Sequence, residues 1–64
     1  MTIRELLKYY REECVCIWLN DGRKLNYERG FFDDFESIVP SDILDLKICG
    51  FGIKDDFCIN IWEY

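Results

Sequence analysis

The stretch CVCIWLNDGRKLNYE, residues Cys14–Glu28, decides the fold. Two runs of β-forming residues flank an Asn-Asp-Gly turn at 20–22, and this pattern predicts a β-hairpin. A three-residue loop with Gly22 in the left-handed position of a bulge pairs Ile17 with Leu25 and segregates polarity, whereas a two-residue loop would mix it. The two faces of the predicted hairpin are Val15, Ile17, Leu19, Leu25 and Tyr27 on one side, and Cys14, Cys16, Trp18, Lys24 and Asn26 on the other.

A second hairpin is predicted at the C-terminus, with strands at about 47–53 and 57–63 joined by the loop 54–56. The same parity argument places an apolar row on one face. The predicted pairs are Ile53 with Phe57, Phe51 with Ile59, and Cys49 with Ile61, and the reverse face holds Ile48, Gly50, Gly52, Cys58, Asn60 and Trp62.

Two helices complete the predicted elements. Thr2 and Glu5 form a capping box, and the apolar spacing that follows predicts an amphipathic helix over about 2–12. A short middle helix is predicted before Pro40, after which Ser41 would cap one further turn. The residues that anchor this middle helix by their helical spacing are Phe31, Phe32, Phe35, Ile38 and Val39.

This element order, α-β-β-α-β-β, predicts an α+β fold. A chain of 64 residues supports one domain, residues 1–64, with one core. We expect a four-stranded antiparallel sheet of two β-hairpins with an N-terminal helix and a short middle helix. Helices on both faces of this sheet would bury Trp18 and Trp62, which is the arrangement that we expect, whereas helices on one face would leave a tryptophan patch for a partner or a homodimer.

The expected compartment is the cytoplasm. No run approaches the roughly 20 apolar residues that span a bilayer, and residues 1–10 carry three charges where a signal peptide is apolar. Thiols stay reduced in the cytoplasm, so buried free cysteines are expected rather than disulfides. Zinc remains an alternative, although one Cys-x-Cys pair and two distant single cysteines fit a zinc site poorly. The four residues concerned are Cys14, Cys16, Cys49 and Cys58.

The residue types needed for most enzyme chemistry are missing from the sequence. There is no histidine, which excludes the usual general base and the conventional nucleophile triads. The glycines match neither a dinucleotide fingerprint nor a P-loop. Adjacent carboxylates such as Asp33 and Asp34 point apart, which argues against a shared metal. We therefore expect no enzymatic activity, no cofactor and no metal.

The negative charge is concentrated in the second half of the chain. Residues 1–30 hold five acids and six bases, whereas residues 31–64 hold eight acids and two bases, which together give the net charge of −5. A base-free run within the segment 31–46 would repel a phosphate backbone, so a basic protein partner is favoured over direct nucleic-acid binding. The carboxylates of this run are Asp33, Asp34, Glu36, Asp42 and Asp45.

In its composition and in these five carboxylates, the chain resembles the small acidic proteins of bacteriophages and mobile elements, including anti-CRISPR inhibitors. The resemblance implies an inhibitor that presents carboxylates where a nucleic-acid-binding protein, such as a CRISPR effector, expects phosphates. A homo-oligomeric structural or adaptor module is the alternative, and it would use the tryptophan face of Trp18 and Trp62 or an exposed strand edge. A small zinc-stapled binding module is a third possibility.

Overall fold

The computed structural model describes residues 1–54 and 58–64. Within these residues the chain forms an α+β domain with short helices and a four-stranded sheet, so the predicted fold class is confirmed. Asp55, Asp56 and Phe57, for which a loop and the start of a strand are predicted, lie outside the described residues. The elements are α1 Ile3–Leu7, β1 Cys14–Trp18, β2 Lys24–Glu28, α2 Phe35–Ile38, α3 Ser41–Leu44, β3 Ile48–Lys54 and β4 Cys58–Glu63.

The first hairpin has the predicted register. β1 and β2 are antiparallel, with Ile17 opposite Leu25. Gly22 has a φ of 93°, and its N–H donates to the Leu19 carbonyl at 3.1 Å. An L-residue with a Cβ costs about 1 to 2 kcal/mol in this left-handed conformation, which explains the glycine at this position.

The sheet is mixed, and the prediction of a purely antiparallel sheet is therefore wrong. The strand order is β2-β1-β4-β3, and β1 lies parallel to β4, with Val15 opposite Ile59 and Ile17 opposite Ile61. The crossover through β2, α2, α3 and β3 is long enough to return the chain in the same direction. This order places two strongly apolar strands at the centre of the sheet, where both are paired on each side.

The C-terminal hairpin differs from its predicted register by two residues. Phe51 lies opposite Ile61 rather than Ile59, although the residues from Gly50 to Ile53 keep their predicted faces because a shift of two preserves parity. A bulge after Ile48 also shifts the ladder at Cys49, so the predicted pair of Cys49 with Ile61 is absent. Ile48 consequently packs against the core instead of lying on the reverse face.

All three helices of the described chain pack on one face of the sheet. Their apolar side chains join those that β1 and β4 present on that face, and the opposite face receives no helix. The distribution of helices over both faces, which would bury the tryptophans, is therefore wrong. The buried cluster comprises Ile3, Leu7, Val15, Ile17, Leu19, Phe35, Val39, Ile43, Leu44, Ile59 and Ile61.

The helices are shorter than the sequence predicts. The capping box of Thr2 and Glu5 is present, but α1 ends at Leu7 because the next residues tighten into a turn. The Asp34 carboxylate accepts from Ser37 N–H at 3.0 Å and starts α2 after Asp34, so the predicted anchors Phe31 and Phe32 remain exposed. α3 has Pro40 at its N-cap and lacks a side-chain cap, so Ser41 does not serve that role.

Candidate functional site

The face of the sheet without helices, called the open face below, is the first candidate site. Strand alternation turns every second side chain toward it, and cross-strand pairing aligns these side chains in rows. An uncovered sheet face with large apolar side chains is unusual in a domain that has a core of its own. The open face consists of Cys14, Cys16, Trp18, Lys24, Asn26, Glu28, Gly50, Gly52, Cys58, Asn60 and Trp62.

Trp18 and Trp62 lie side by side on the two central strands of the open face, near the C-terminal ends of β1 and β4. They are direct neighbours in the parallel pair of β1 with β4, and they remain 36% and 40% exposed. The Trp18 indole N–H donates to Asn60 Oδ1 at 3.0 Å, and Lys24 Nζ lies 4.8 Å from the centre of the Trp18 ring. These contacts fix the orientation of Trp18. The sequence correctly placed both indoles on one face, but their predicted burial is wrong.

Two glycines form a floor beside Trp62. Gly50 is its direct neighbour on β3, and Gly52 is the neighbour of Asn60. In the described part of the chain, a Cβ built at either glycine meets no other atom within 4 Å, and neither residue has a positive φ. The two positions therefore need no glycine for backbone conformation. Their effect is to leave the backbone bare next to an exposed indole, where a side chain of a partner can lie.

A disulfide links Cys14 to Cys58, contrary to the prediction of free thiols. It joins β1 to β4 across the parallel pair, with a Cα–Cα distance of 4.9 Å. Of the remaining cysteines, Cys16 is buried and Cys49 is exposed, the latter against the expected burial. Burial raises the pKa of the Cys16 thiol, against the opposite influence of nearby Lys24. In residues 1–54 and 58–64, no group of three or more potential ligands could hold a metal ion.

Tyr10 also connects β1 to β4, from the helix side of the sheet. Its hydroxyl donates to the Cys14 carbonyl at 2.8 Å and accepts from the Ile59 N–H at 3.1 Å, so it bridges β1 and β4. Burial raises the pKa of Tyr10, while the Ile59 hydrogen bond opposes that rise. The sequence assigned Tyr10 only to the apolar stripe of a helix, and the role of its hydroxyl depends on contacts that no local pattern reveals.

Removal of this hydroxyl is expected to weaken the fold. Tyr10→Phe should lower the free energy of unfolding by about 1 to 3 kcal/mol, because two backbone groups lose a partner. Since the folded state raises the pKa of Tyr10, its contribution is complete below the ordinary value of 10.0 and is lost as the pH rises above it. Urea denaturation between pH 7 and pH 11 should therefore show a smaller alkaline loss in the variant. A profile identical to wild type above pH 10 would contradict this role.

The thiol of Cys16 also contributes to the loss of stability at alkaline pH, and this contribution must be measured apart from that of Tyr10. Its pKa is raised from the ordinary value of 9.0, so it contributes stability that is lost as the pH rises above that value. Comparison of Tyr10→Phe with the double variant Tyr10→Phe, Cys16→Ala gives the share of the alkaline loss of stability that is due to the thiol.

The predicted acidic residues lie in the helix layer, on the opposite side of the sheet from the open face. All five carboxylate residues are exposed, as expected: Asp33, Asp34, Glu36, Asp42 and Asp45. Arg4 from α1 contacts Asp45 at 3.0 Å and Glu36 at 3.9 Å, so a base from outside the segment offsets part of its charge. Exposed pairs of this kind contribute about 0 to 1 kcal/mol, and they leave the carboxylates accessible.

Arg29 holds the start of the acidic segment in place. Its guanidinium donates to the backbone carbonyls of Arg11, Glu12 and Asp33, and it lies over the Phe35 ring at 5.8 Å. The arginine therefore connects the segment after α1 to the segment before α2. The sequence does not predict this role, because a single arginine after a strand is usually an ordinary surface charge.

The two sets of predicted site residues are thus separated by the sheet. The carboxylates lie on the helix side and the tryptophans lie on the open face, so one flat partner surface contacts one set at a time. None of the helices described is long and apolar enough to span a membrane. Comparison of the chain with protein-family models, with curated proteins and with solved structures gives no significant match in any of the three.

Proposed function

We propose that this protein is a non-catalytic binding module that docks a basic partner protein on its open face and thereby inhibits it. The observation that carries the proposal is the exposed, in-register pair of Trp18 and Trp62 on a sheet face without helices. Tryptophan is the residue type most enriched among binding hot spots, because it buries a large area with few rotatable bonds. Exposed apolar patches of this kind mark interaction sites.

The geometry around the indoles favours a protein partner with a projecting apolar side chain. Such a side chain would lie over Gly50 and Gly52 and pack against the flank of Trp62. Trp18 is held by Asn60 and Lys24 before any partner arrives, which reduces the entropy lost on binding.

The net charge of the protein indicates the sign of the charge on the partner's surface. A net charge of −5 attracts a basic surface and accelerates encounter with it. Direct binding of a nucleic acid is disfavoured, because it requires cations that neutralise phosphates. A nucleic-acid-binding protein, such as a CRISPR effector, has the required basic surface, and its occlusion would be inhibitory.

The acidic helix layer is a second candidate for the docking surface. Its five carboxylates are exposed, and arginines that clamp phosphates also clamp suitably spaced carboxylates. In this mode the protein would imitate a nucleic acid, and binding would weaken strongly with salt because salt screens the attraction between exposed charges.

A comparative capture experiment tests both candidates. Wild-type protein, Trp62→Ala and the triple variant Asp33→Asn, Asp34→Asn, Glu36→Gln are immobilised and exposed to host lysate at low salt, and retained proteins are quantified by mass spectrometry. We expect a basic protein that wild type and the triple variant retain and that Trp62→Ala loses by about tenfold or more. Asn caps helices as well as Asp does, so the triple variant keeps the cap of α2.

A control variant removes an aromatic ring outside the open face that is more exposed than Trp62. Phe32→Ala should retain the same partner as wild type, because Phe32 precedes α2 and belongs to none of the strands that form the open face. Loss of the partner from the triple variant alone would favour the acidic surface. A retained set that is the same for all four proteins would refute both candidates.

A further inference from the structure

β3 is an edge strand whose outer side is only partly covered. In an edge strand, the N–H and C=O groups of alternate residues face away from the neighbouring strand. The N-terminus of the chain pairs with the beginning of this edge: Thr2 bridges to Lys47, and Ile48 N–H donates to the Met1 carbonyl at 3.0 Å. The outer edge of residues 49–53 follows beyond this pairing.

This edge lacks the charges that usually protect edge strands. From Ile48 to Ile53 the sequence is ICGFGI, without an acid, a base or a proline. β2, at the other edge of the sheet, carries a charge at each end, Lys24 and Glu28, whereas β3 carries one, Lys54, at its C-terminal end. Charged side chains hinder the addition of another strand, so the two edges differ in their capacity to pair.

Apolar side chains of β3 extend beyond the helix layer. Phe51 and Ile53 pair with Ile61 and Ile59 and so belong to the helix side of the sheet. They nevertheless remain 53% and 68% exposed, whereas Ile59 and Ile61 are buried. The helices thus cover the central strands and leave the edge strand apolar and accessible.

We propose that β3 pairs antiparallel with β3 of a second copy of this chain, which gives a two-fold symmetric dimer. A register centred on Gly52 places Phe51 opposite Ile53 of the second copy, and by symmetry Ile53 opposite its Phe51. This register ends with Lys54 of the second copy opposite Gly50, so it avoids Met1 at the start of the edge. Each copy therefore offers what the other requires: the backbone groups of an edge strand and an apolar row on the same face.

Charge also favours a second copy at this edge over another surface. Two molecules of net charge −5 repel each other, but residues 48–53 contain no acid, and the residues that flank them, Lys47 and Lys54, are basic. Moderate salt screens the remaining repulsion, so we expect dimerisation to strengthen as the ionic strength rises to physiological values. This salt dependence is the reverse of that expected for attraction between the acidic protein and a basic partner.

The dimer would enlarge the open face. Two four-stranded sheets joined at β3 make one continuous eight-stranded sheet. Gly50 and Gly52 of both copies then form a floor between the two Trp62 side chains. The second copy thus supplies one Trp62 and two of the four glycines that line this groove, and neither copy forms the groove alone. Pairing at β3 itself does not depend on the proposed partner.

Sedimentation velocity from about 1 to about 500 µM tests the proposal, because for a contact through one strand edge we expect a dissociation constant on the order of 10 µM. Ile53→Lys, which places a charge on an exposed edge position, should raise that constant about tenfold or more. Asn26→Lys, the matched substitution on the β2 edge, should leave it unchanged. A wild-type protein that is monomeric throughout this range would overturn the proposal, as would a dimer that Ile53→Lys leaves intact and Trp62→Ala disrupts.

Amide hydrogen exchange of the wild-type protein gives a second readout that needs no variant. Amides on the outer edge of residues 49–53 should become protected as concentration rises, while those of β2 should not change. Protection at β2 alone, or none at either edge, would contradict pairing at β3. Failure of the capture experiment with an intact dimer would refute the proposed function and leave this interface standing.

Discussion

Loss of the Cys14–Cys58 disulfide is expected to lower the free energy of unfolding by about 4 kcal/mol, on the chain-entropy model for cross-links. The two cysteines are 44 residues apart in sequence, so the bond greatly restricts the unfolded chain. A domain of this size has a total stability of only about 3 to 10 kcal/mol. Reduction should therefore shift the unfolding midpoint to a much lower denaturant concentration.

Denaturation in urea, with and without a phosphine reductant, measures this effect. The double variant Cys14→Ser, Cys58→Ser should reproduce the stability of the reduced protein. Cys49→Ser is the matched control, because it changes an exposed free thiol and should alter stability by less than about 0.5 kcal/mol. If reduction changed the stability by less than about 1 kcal/mol, the disulfide would not be a principal constraint on this fold.

Ile61→Ala is expected to have an effect of comparable size, a loss of about 2 to 5 kcal/mol. Ile61 is fully buried in β4, between Ile17 on β1 and Phe51 on β3. Truncation removes buried methyl and methylene groups and leaves a cavity at the centre of the core. In so small a domain, this loss should bring a large fraction of the molecules into the unfolded state at 37 °C.

The same truncation at an exposed position provides the control. Ile53 belongs to the same hairpin and the same side of the sheet, yet it is mostly exposed. Ile53→Ala should therefore cost less than about 1 kcal/mol. Thermal unfolding followed by circular dichroism compares the two variants directly. Equal losses for both would mean that the core is not centred on β1 and β4.

Side-chain alternation explains which parts of the fold could be predicted. It gave the register of the first hairpin and the side of the sheet on which Cys14, Cys16 and Cys58 lie. A period of two says which face a residue occupies, but it does not say which strand lies next to it. The parallel pair of β1 with β4 depends on long-range packing, and the disulfide follows from that pair. Side-chain alternation also could not reveal the two-residue shift of the C-terminal hairpin, because a shift of two leaves every shifted residue on the same face.

The candidate site could be predicted only in part. Sequence parity placed Trp18 and Trp62 on one face, and it placed Gly50 and Gly52 on the same face. Their exposure depends on the helices, which all pack on the other side because the apolar residues of α1, α2 and α3 share one core. Short helices with apolar side chains fit either side of a sheet equally well as isolated patterns, so the choice between the faces required the whole set of contacts.

The proposed function requires that the open face of the sheet, rather than the acidic helix layer, contacts the partner. Hydroxyl-radical footprinting of the complex recovered in the capture experiment distinguishes the two surfaces, because exposed aromatic side chains lie on the open face and also in the acidic segment 31–46. We expect Trp18 and Trp62 to become protected from oxidation on binding, while Phe31 and Phe32 before α2 react as in the free protein. Protection of Phe31 and Phe32 with unchanged oxidation of both tryptophans would contradict it.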